Sequence, residues 1–274
     1  MSKLLIAVAT YNRPHITELS LAMLREAMGS NDALIVYDDC SSAYSVSWLK
    51  RYADEVIRMP QKGGIERIRA RNFRDFQQSF QDFDFLYTTD NDAIHDPGFS
   101  HRLRGLYGRY SANGVKLPVC LYNSKFHNQA GNTLWQNGEV CFRKTAPGIS
   151  QMFDRDMAEM IVTGLNLRPQ LETQYGYDYH LPQLLSRPFV QSEVSYLEHF
   201  ARDTHEAGIH AKNSGHSQDA LADFERDRAL NPTSHLRSLR PVVIDYILNG
   251  KADLSTAAAP SNSGADSLSH PVTA

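Results

Sequence analysis

The chain has few of the features that mark secreted, disulfide-bonded or membrane-spanning proteins. Among its 274 residues are only three cysteines, Cys40, Cys120 and Cys141. An odd number of cysteines without metal-site spacing argues against a disulfide framework and favours a reducing compartment. No segment approaches the roughly 18–20 apolar residues that cross a bilayer, and the first apolar run, residues 4–9, is too short for a secretory signal. We therefore expect a cytoplasmic location.

The chain also lacks an excess of charge of either sign. Its formal net charge is −3 at pH 7, and its isoelectric point is near 6.4. Without a basic surplus there is no electrostatic reason to expect nucleic acid as the partner. Hydrophobic residues make up 42% of the sequence and charged residues 22%. These values are typical of soluble globular proteins with a full core.

The first 90 residues alternate between short apolar runs and segments with helical spacing. The apolar runs predict strands over residues 3–9, 33–37, 55–58 and 83–88. The segments between them predict helices that follow Pro14, span residues 48–53 and follow Gly63-Gly64. This order indicates an α/β fold with a parallel, doubly wound sheet, whose ligands bind at the carboxyl ends of the strands.

Three of the predicted strands end in polar residues that suit such a location: Thr10-Tyr11-Asn12, Asp38-Asp39 and Asp90-Asn91-Asp92. Two carboxylates one residue apart, as in the last of these, offer hard oxygen ligands to a Mg²⁺ or Mn²⁺ ion that carries a diphosphate. Asp38-Asp39 could instead form a helix cap or a turn. A structural Ca²⁺ at the last motif is disfavoured, since the chain lacks the glycine and terminal glutamate of an EF-hand loop.

The second half of the chain is less regular. Strands are predicted over residues 115–121, 139–142 and 190–196, and helices over residues 154–162 and 175–185. Further helices are predicted at about residues 218–230 and 236–248, and the second of these contains Pro241. From about residue 253 the composition is dominated by Ala, Ser, Pro, Gly and Thr, which predicts a disordered tail.

Four landmarks in residues 4–98 together resemble glycosyltransferases of the GT-A fold, family 2 type. They are the strand and turn of residues 6–14, the acidic strand end of residues 36–42, Gly63-Gly64 with Ala70-Arg71-Asn72, and Asp90-Asn91-Asp92 with Pro97. The resemblance implies a Rossmann-like, mostly parallel central sheet flanked by helices. It also implies transfer of a sugar from a nucleotide-diphosphate donor with the help of Mn²⁺ or Mg²⁺.

The resemblance also implies roles for single residues. The ring of Tyr11 would pack near the base, the Asp39 carboxylate would accept from a base N–H group, and Asp90 would approach the ribose. Arg71 would lie near the diphosphate or brace the metal motif. The residues expected to bind the nucleotide are Thr10, Tyr11, Asn12, Arg13, Asp39, Arg71, Asp90 and Asn91. The residues expected to bind the metal are Asp90, Asp92 and His199, with His205, His210 and His216 as rivals of the histidine.

The catalytic base of the family lies in a Gly-rich turn at the head of a helix, and residues 174–182 are similar to it. Asp178 is the candidate base and Glu172 the fallback. Tyr177 replaces the usual acidic residue, and Asp178 could instead cap the helix. Residues 148–153 resemble the floor of the acceptor site, and Trp135 could stack on an acceptor sugar or anchor a loop.

We therefore expect a hexosyltransferase-type enzyme (EC 2.4) that inverts the anomeric carbon and acts on a saccharide or lipid-linked saccharide in polysaccharide biosynthesis. The alternatives are a retaining transferase and a non-catalytic nucleotide-sugar-binding protein. A sugar-phosphate nucleotidyltransferase would need a Gly-rich loop directly after the first strand to hold a triphosphate. Residues 10–14 contain no glycine, so this class of enzyme is disfavoured. The GT-A domain is expected over residues 1–217, with a nucleotide-binding half (1–98) and an acceptor half (99–217), followed by a helical extension (218–250) and a disordered tail (251–274). Oligomeric state and peripheral membrane association stay open.

Overall fold

The computed structural model of the protein describes residues 2–111, 114–123 and 131–199. The predicted helical extension and tail, and the rival histidines His205, His210 and His216, lie outside these residues. Within the described ranges, no helix combines the length and the apolar character needed to span a bilayer.

The described residues form strands and helices in alternation. The strands are β1 (Leu4–Thr10), β2 (Ala33–Asp38), β3 (Glu55–Arg58), β4 (Phe85–Asp90), β5 (Ala93–His95), β6 (Val119–Cys120), β7 (Thr133–Gln136), β8 (Val140–Arg143), β9 (Gln151–Asp154), β10 (Phe189–Ser192) and β11 (Leu197–His199). The α-helices are α1 (Pro14–Ala27), α2 (Val46–Leu49), α3 (Ile65–Gln78), α4 (Phe99–Tyr110), α5 (Arg155–Leu167) and α6 (Tyr177–Leu185), with a 3₁₀ turn at Pro169–Glu172.

The amino-terminal half of the main sheet is parallel, as predicted. β1 pairs with β2 on one side and with β4 on the other, and β3 pairs with β2. Leu4, Ile6 and Val8 of β1 lie in one apolar cluster together with residues of α1, whereas Leu5 and Ala7 lie in a second cluster with residues of α3. Because β1 is buried on both faces, it reads in the sequence as a continuous apolar run.

The carboxyl-terminal half extends the same sheet in mixed directions. β9 runs antiparallel to β4, and β6, β10, β8 and β7 follow toward the far edge, so the order is β3-β2-β1-β4-β9-β6-β10-β8-β7. A separate two-stranded sheet pairs β5 with β11 in antiparallel fashion. The main sheet is therefore continuous across the predicted boundary between the two halves of the domain.

Several predicted boundaries are wrong. The strand predicted over residues 115–121 shrinks to β6, because Pro118 has no N–H group for a ladder and Val115 is 53% exposed. The strand predicted over residues 190–196 ends at Ser192, and the chain pairs again only in β11. The helix predicted over residues 48–53 begins earlier, at Val46, because the Ser45 hydroxyl caps it by accepting from the N–H group of Trp48.

Candidate active site

The carboxyl ends of β1, β2 and β4 lie level with one another at one edge of the sheet. Thr10 pairs with Asp38 on one side of β1, and Ala9 pairs with Asp90 on the other. The N–H group of Asp39 donates to the carbonyl oxygen of Thr10 at 2.9 Å, which extends this pairing past the strand end. The polar strand ends that the sequence predicts to be neighbours are therefore adjacent.

Asn12 joins the loop after β1 to the loop after β2. Its Oδ1 accepts from the N–H groups of Ser42 and Ala43 at 2.9 and 3.1 Å, and its own N–H group donates to Ser41 Oγ at 2.8 Å. Asn12 and Arg13 adopt left-handed backbone conformations, with φ of 52° and 63°, which asparagine tolerates better than most residues. This loop determines where the Arg13 side chain goes. A contact between Asn12 and the nucleotide stays a prediction.

The Arg13 side chain reaches from this loop to the acidic motif after β4. Its Nη1 donates to Oδ2 of Asp92 at 2.9 Å, and the side chain is only 13% exposed. Its Nε and Nη2 atoms are buried and have no hydrogen-bond partner among the described residues. Buried N–H groups of a cation are costly unless an acceptor binds them. Arg13 is therefore suited to hold an anion beside Asp92.

The neighbouring carboxylates Asp38 and Asp39 have different partners. Asp38 is fully buried and accepts from the N–H group of Ser41 at 3.1 Å and from Nε of Arg58 at 2.5 Å, so it holds the turn. The two oxygens of Asp39 accept from the successive N–H groups of Gly63-Gly64 at 2.7 and 3.0 Å. Asp39 thereby joins the end of β2 to the start of α3.

Tyr11 lies beside a lysine that the sequence interpretation did not include. The Nζ atom of Lys62 is 4.1 Å from the centroid of the Tyr11 ring, which is a cation–π distance. Lys62 is exposed and Tyr11 is half-buried. Thr10, in contrast, is buried, and its hydroxyl hydrogen-bonds to that of Tyr44. Tyr11 and Lys62 therefore form the accessible part of this region.

The three side chains of the acidic motif contact three different parts of the fold. Asp90 Oδ1 accepts from Nη2 of Arg69 at 2.6 Å. Asn91 is buried and donates through Nδ2 to Thr17 Oγ1 of α1 at 2.5 Å. Asp92 lies between Arg13 and His199. Asn91 thus ties the motif to α1, and its predicted contact with the nucleotide stays a prediction.

His199 lies at Asp92 because β11 pairs with β5. In that pairing His199 is opposite Ala93, the residue directly after Asp92, and its Nε2 is 3.4 Å from Asp92 Oδ1. The rings of His199 and Tyr122 are nearly perpendicular, with their centroids 6.0 Å apart. The structure therefore places His199 next to the acidic motif, as the sequence predicts.

The charges of this cluster act on one another. Burial alone would raise the pKa of Asp92, but His199 and Arg13 outweigh it and hold that pKa below its usual range. For Asp90, burial and the neighbouring Asp92 raise the pKa despite the opposing charge of Arg69. Burial lowers the pKa of His199, but the carboxylates outweigh it and raise the pKa overall. Asp92 is therefore the carboxylate most strongly held in its charged form.

A divalent cation fits part of this cluster. Within the described ranges, no three His, Cys, Asp or Glu side chains surround a common metal position. Asp92 Oδ1, however, is buried without a hydrogen bond to any residue that the structure describes, and Nε2 of His199 lies 3.4 Å from it. A carboxylate oxygen with an imidazole nitrogen suits Mn²⁺, and protein-bound Mg²⁺ is commonly held by one or two carboxylates plus substrate phosphates. The two atoms therefore suit a cation whose other ligands come from a diphosphate.

The bracing role expected of Arg71 belongs to Arg69. The half-exposed Arg71 side chain binds Asp75, four residues on in α3, with both Nε–Oδ distances 2.7 Å. Arg69 lies on the buried face of α3 and contacts Asp90 directly. The physical reason is helix geometry, because positions two residues apart on a helix point in different directions. Proximity of Arg71 to a diphosphate stays a prediction.

Asp178 and Glu172 differ sharply in their surroundings. Asp178 lies in the first turn of α6 and is half-buried. Glu172 forms a two-pronged ion pair with Arg74 of α3, whose Nη1 donates to Oε2 at 3.0 Å and whose Nη2 donates to Oε1. Both carboxylate oxygens of Glu172 are thus taken up by an arginine of a neighbouring helix. Asp178 therefore remains the candidate base, and Glu172 ties the 3₁₀ turn to α3.

The two features expected at the acceptor side differ in position. The side chains of residues 150–153 are completely buried in and before β9, but the carbonyl oxygen of Gly148 accepts from Arg69, which also binds Asp90. Approach of an acceptor to the backbone of residues 148–153 stays a prediction. Trp135 is 51% exposed and packs edge-on against Phe142 on the edge strand β7. β7 is five strands from β4, which at a strand spacing of about 4.8 Å is about 24 Å along the sheet. Trp135 is thus remote from the acidic motif.

Comparison with known proteins decides the family. The model of glycosyl transferase family 2 matches residues 5–161, which is more than half of the 274-residue chain and contains all four landmarks. The chain belongs to glycosyl transferase family 2. It is therefore a glycosyltransferase, and its α/β structure confirms the predicted GT-A fold. A comparison with curated proteins finds no match.

Solved structures of TarS from S. aureus share the fold of this family 2 chain. TarS 1–349 in complex with UDP-GlcNAc is 12% identical, with 87% of this chain and 75% of that chain covered and a TM-score of 0.51. TarS 1–349 in complex with UDP is also 12% identical, with 88% and 77% covered and a TM-score of 0.50. At such low identity the likeness shows the fold alone.

The glycosyltransferase site also contains residues that sequence reasoning missed: Arg69, Lys62 and Tyr177, the last noted only as a departure from the family pattern. Helical spacing could have found Arg69, because it lies four and seven residues before the core residues Phe73 and Phe76. Lys62 precedes the diglycine, but its contact with Tyr11 depends on how two loops meet. No local pattern signals that contact.

Proposed function

We propose that the protein transfers a sugar, with inversion and with Mn²⁺ or Mg²⁺, from a nucleotide-diphosphate donor to a saccharide or lipid-linked saccharide. One observation carries the proposal. At the carboxyl edge of the sheet, N–H groups of Arg13 lie beside Asp92, whose Oδ1 faces His199, and neither these groups nor this oxygen hydrogen-bonds to any described residue. Cationic donors next to a metal-suited carboxylate match the charge pattern of a bound diphosphate and its cation.

The nucleoside would occupy the neighbouring strand ends. The ring of Tyr11 offers a face for the base. Asp39 already accepts from the N–H groups of Gly63 and Gly64 and would accept from a base N–H group through a further lone pair. Lys62 would add a positive charge at the same place. The TarS structures with UDP-GlcNAc and UDP support a nucleotide-sugar donor for this fold.

The donor's diphosphate would lie between Arg13 and Asp92. Arg13 would donate through Nε and Nη2 to phosphate oxygens, while its Nη1 keeps Asp92 in place. Asp92 and His199, with Asp90 nearby, would hold the cation. When bound, the ion supplies positive charge that stabilises the departing diphosphate.

Asp178 would act as the general base. The acceptor hydroxyl gives its proton to the Asp178 carboxylate while the hydroxyl oxygen forms a bond to the anomeric carbon of the donor. The bond from that carbon to the diphosphate oxygen breaks, and its electron pair leaves with the nucleoside diphosphate. Attack opposite to the leaving group inverts the configuration.

The acceptor would meet exposed tyrosines around Asp178. Tyr175 is 81% exposed and Tyr179 is 50% exposed, and both flank Asp178 in the chain. Sugar rings present C–H faces that pack on aromatic rings, and tyrosine combines such a face with a hydroxyl group. This surrounding supports a saccharide at the reacting end of the acceptor.

Screening of nucleotide sugars tests the function. UDP-, GDP- and dTDP-sugars are incubated with the full chain and candidate saccharides, and release of nucleoside diphosphate is measured with EDTA and after adding back Mn²⁺ or Mg²⁺. Asp178→Asn should lower transfer by about 10²- to 10⁴-fold while calorimetry shows nearly unchanged donor binding. The control Asp156→Asn removes an exposed carboxylate from the first turn of α5 and should have no effect. A wild-type rate for Asp178→Asn would rule out this base.

A further inference from the structure

Arg69 is an arginine in the protein interior whose partners belong to the active site. Its side chain is 1% exposed in the middle of α3. Its Nη2 donates to Asp90 Oδ1 at 2.6 Å, to the carbonyl oxygen of Thr89 at 3.1 Å and, more weakly, to that of Gly148 at 3.4 Å. A buried cation needs such acceptors. Arg69 thereby joins the end of β4 to the loop before β9.

The other face of Arg69 meets the start of α6. Its guanidinium carbon is 5.4 Å from the centroid of the Tyr177 ring, and Tyr177 is partly buried. The ring lies against Gly148, so close that a Cβ atom at Gly148 would be 1.9 Å from the Tyr177 hydroxyl oxygen and 2.2 Å from its Cζ. Glycine at position 148 is therefore required for Tyr177 to reach Arg69.

These contacts form a continuous connection from Asp90 through Arg69 to Tyr177, the residue before Asp178. We propose that Arg69 and Tyr177 are positioning residues, which hold the first turn of α6 and the Asp178 carboxylate at a set distance from the donor site. The proposal rests on the proposed function, in which Asp178 is the base. Such placement matters because a shift of about 1 Å in a reacting group can lower a rate by about 100-fold.

A positioning role differs from a purely structural role in what it changes. Loss of folded protein lowers donor binding, donor hydrolysis and sugar transfer together. Displacement of α6 alone leaves the donor site intact, because Arg13, Asp92 and Asp39 are held by other contacts. Transfer to the acceptor then falls, while binding of the donor and its slow hydrolysis by water persist. The ratio of transfer to hydrolysis therefore separates the two roles.

Gly148→Ala is the decisive variant, because it changes neither Asp90 nor Asp178. We expect kcat for transfer to fall by about 100-fold, with the donor Kd within about threefold and a lower ratio of transfer to hydrolysis. Hydrogen–deuterium exchange should rise in α6 and not in α4. In the control Gly105→Ala in α4, the added Cβ meets no described atom within 4 Å apart from its chain neighbours and the backbone of its own helix, so all these values should stay unchanged.

Variants of Tyr177 keep the proposal testable if Gly148→Ala does not fold, which thermal unfolding would show. Tyr177→Leu removes the ring and should lower the transfer-to-hydrolysis ratio strongly, and Tyr177→Phe, which keeps the ring, should lower it less. An unchanged ratio in Gly148→Ala or in Tyr177→Leu, or a parallel loss of donor binding and transfer, would overturn the proposal. If the wild-type chain transfers no sugar, the proposed function fails. Hydrogen–deuterium exchange in Gly148→Ala would still show whether the contacts of Arg69 and Tyr177 hold α6 in place.

Discussion

At the scale of single residues, the partner of each charged group at the sheet edge indicates its role. Asp38 is enclosed by Ser41 and Arg58 and holds the turn after β2. Arg13 and Arg69 each have two guanidinium nitrogens that are buried and have no hydrogen-bond partner among the described residues. Those of Arg13 lie beside Asp92 at the sheet edge, where a bound anion would satisfy them.

Arg13→Lys tests whether these nitrogens bind the donor. Lysine keeps the charge but cannot present the planar fork of N–H groups, so hydrogen bonds worth about 1.5–3 kcal/mol would be lost. We expect the donor KM to rise by about 10- to 100-fold, measured by steady-state kinetics at saturating acceptor. The control Arg25→Lys lies on α1, the helix that follows Arg13, in an exposed ion pair with Asp54 and should change KM less than twofold. Equal effects of the two substitutions would contradict the assignment.

At the scale of elements, the parallel half was predictable and the small sheet was not. β1, β2 and β4 are buried runs, β3 is a partly exposed edge strand, and helices separate all four, so each signal lies within a short stretch of sequence. β5 and β11 have three residues each and are joined across about a hundred residues, as Ala93 with His199 shows. Such pairing depends on tertiary contacts, so no local pattern reveals it.

The same distinction applies to the candidate site. The acidic motif and Asp39 follow predicted strands, and the structure brings their strands together as expected. The family motif points to Arg71 as the residue that braces the acidic motif. Helical spacing instead predicts that Arg69 lies with Ile68 and Phe73 on the buried face of α3. The connection from Arg69 to Tyr177 joins α3 to α6 and could not be read from either helix alone.

The turn directly before α6 leads to a prediction about the acceptor. Tyr175→Ala removes an exposed ring and should leave the fold intact, while the KM of a saccharide acceptor rises by about 5- to 10-fold for a stacking contact of about 1–1.5 kcal/mol. The donor KM should stay unchanged in the same kinetic series. The control Trp135→Ala removes another exposed ring, on the remote strand β7. A larger effect of Trp135→Ala would move the acceptor site toward that edge.

At the scale of the whole molecule, the ligand site brings together parts of the chain that are distant in sequence. β1, β2 and β4 supply its loops, and the two-stranded sheet brings His199, the last described residue, to Asp92. Asp90, Asp92 and the N–H groups of Arg13 converge there. A ligand that binds these groups in the folded state alone should therefore stabilise the entire domain.

Thermal unfolding measures this stabilisation. At a concentration about 100 times its Kd, a ligand adds about 2.7 kcal/mol to the free energy of unfolding, which corresponds to a rise in Tm of about 5–10 °C for a domain of this size. We expect UDP or another nucleoside diphosphate with Mn²⁺ to produce such a rise, and EDTA to remove most of it. In Asp92→Asn, the part of the Tm rise that depends on Mn²⁺ should be lost. A smaller rise in Tm from the nucleotide alone should persist, since Asp39 and Tyr11 remain. An equal Mn²⁺-dependent rise in Asp92→Asn and in the unmodified chain would show that the cation binds elsewhere.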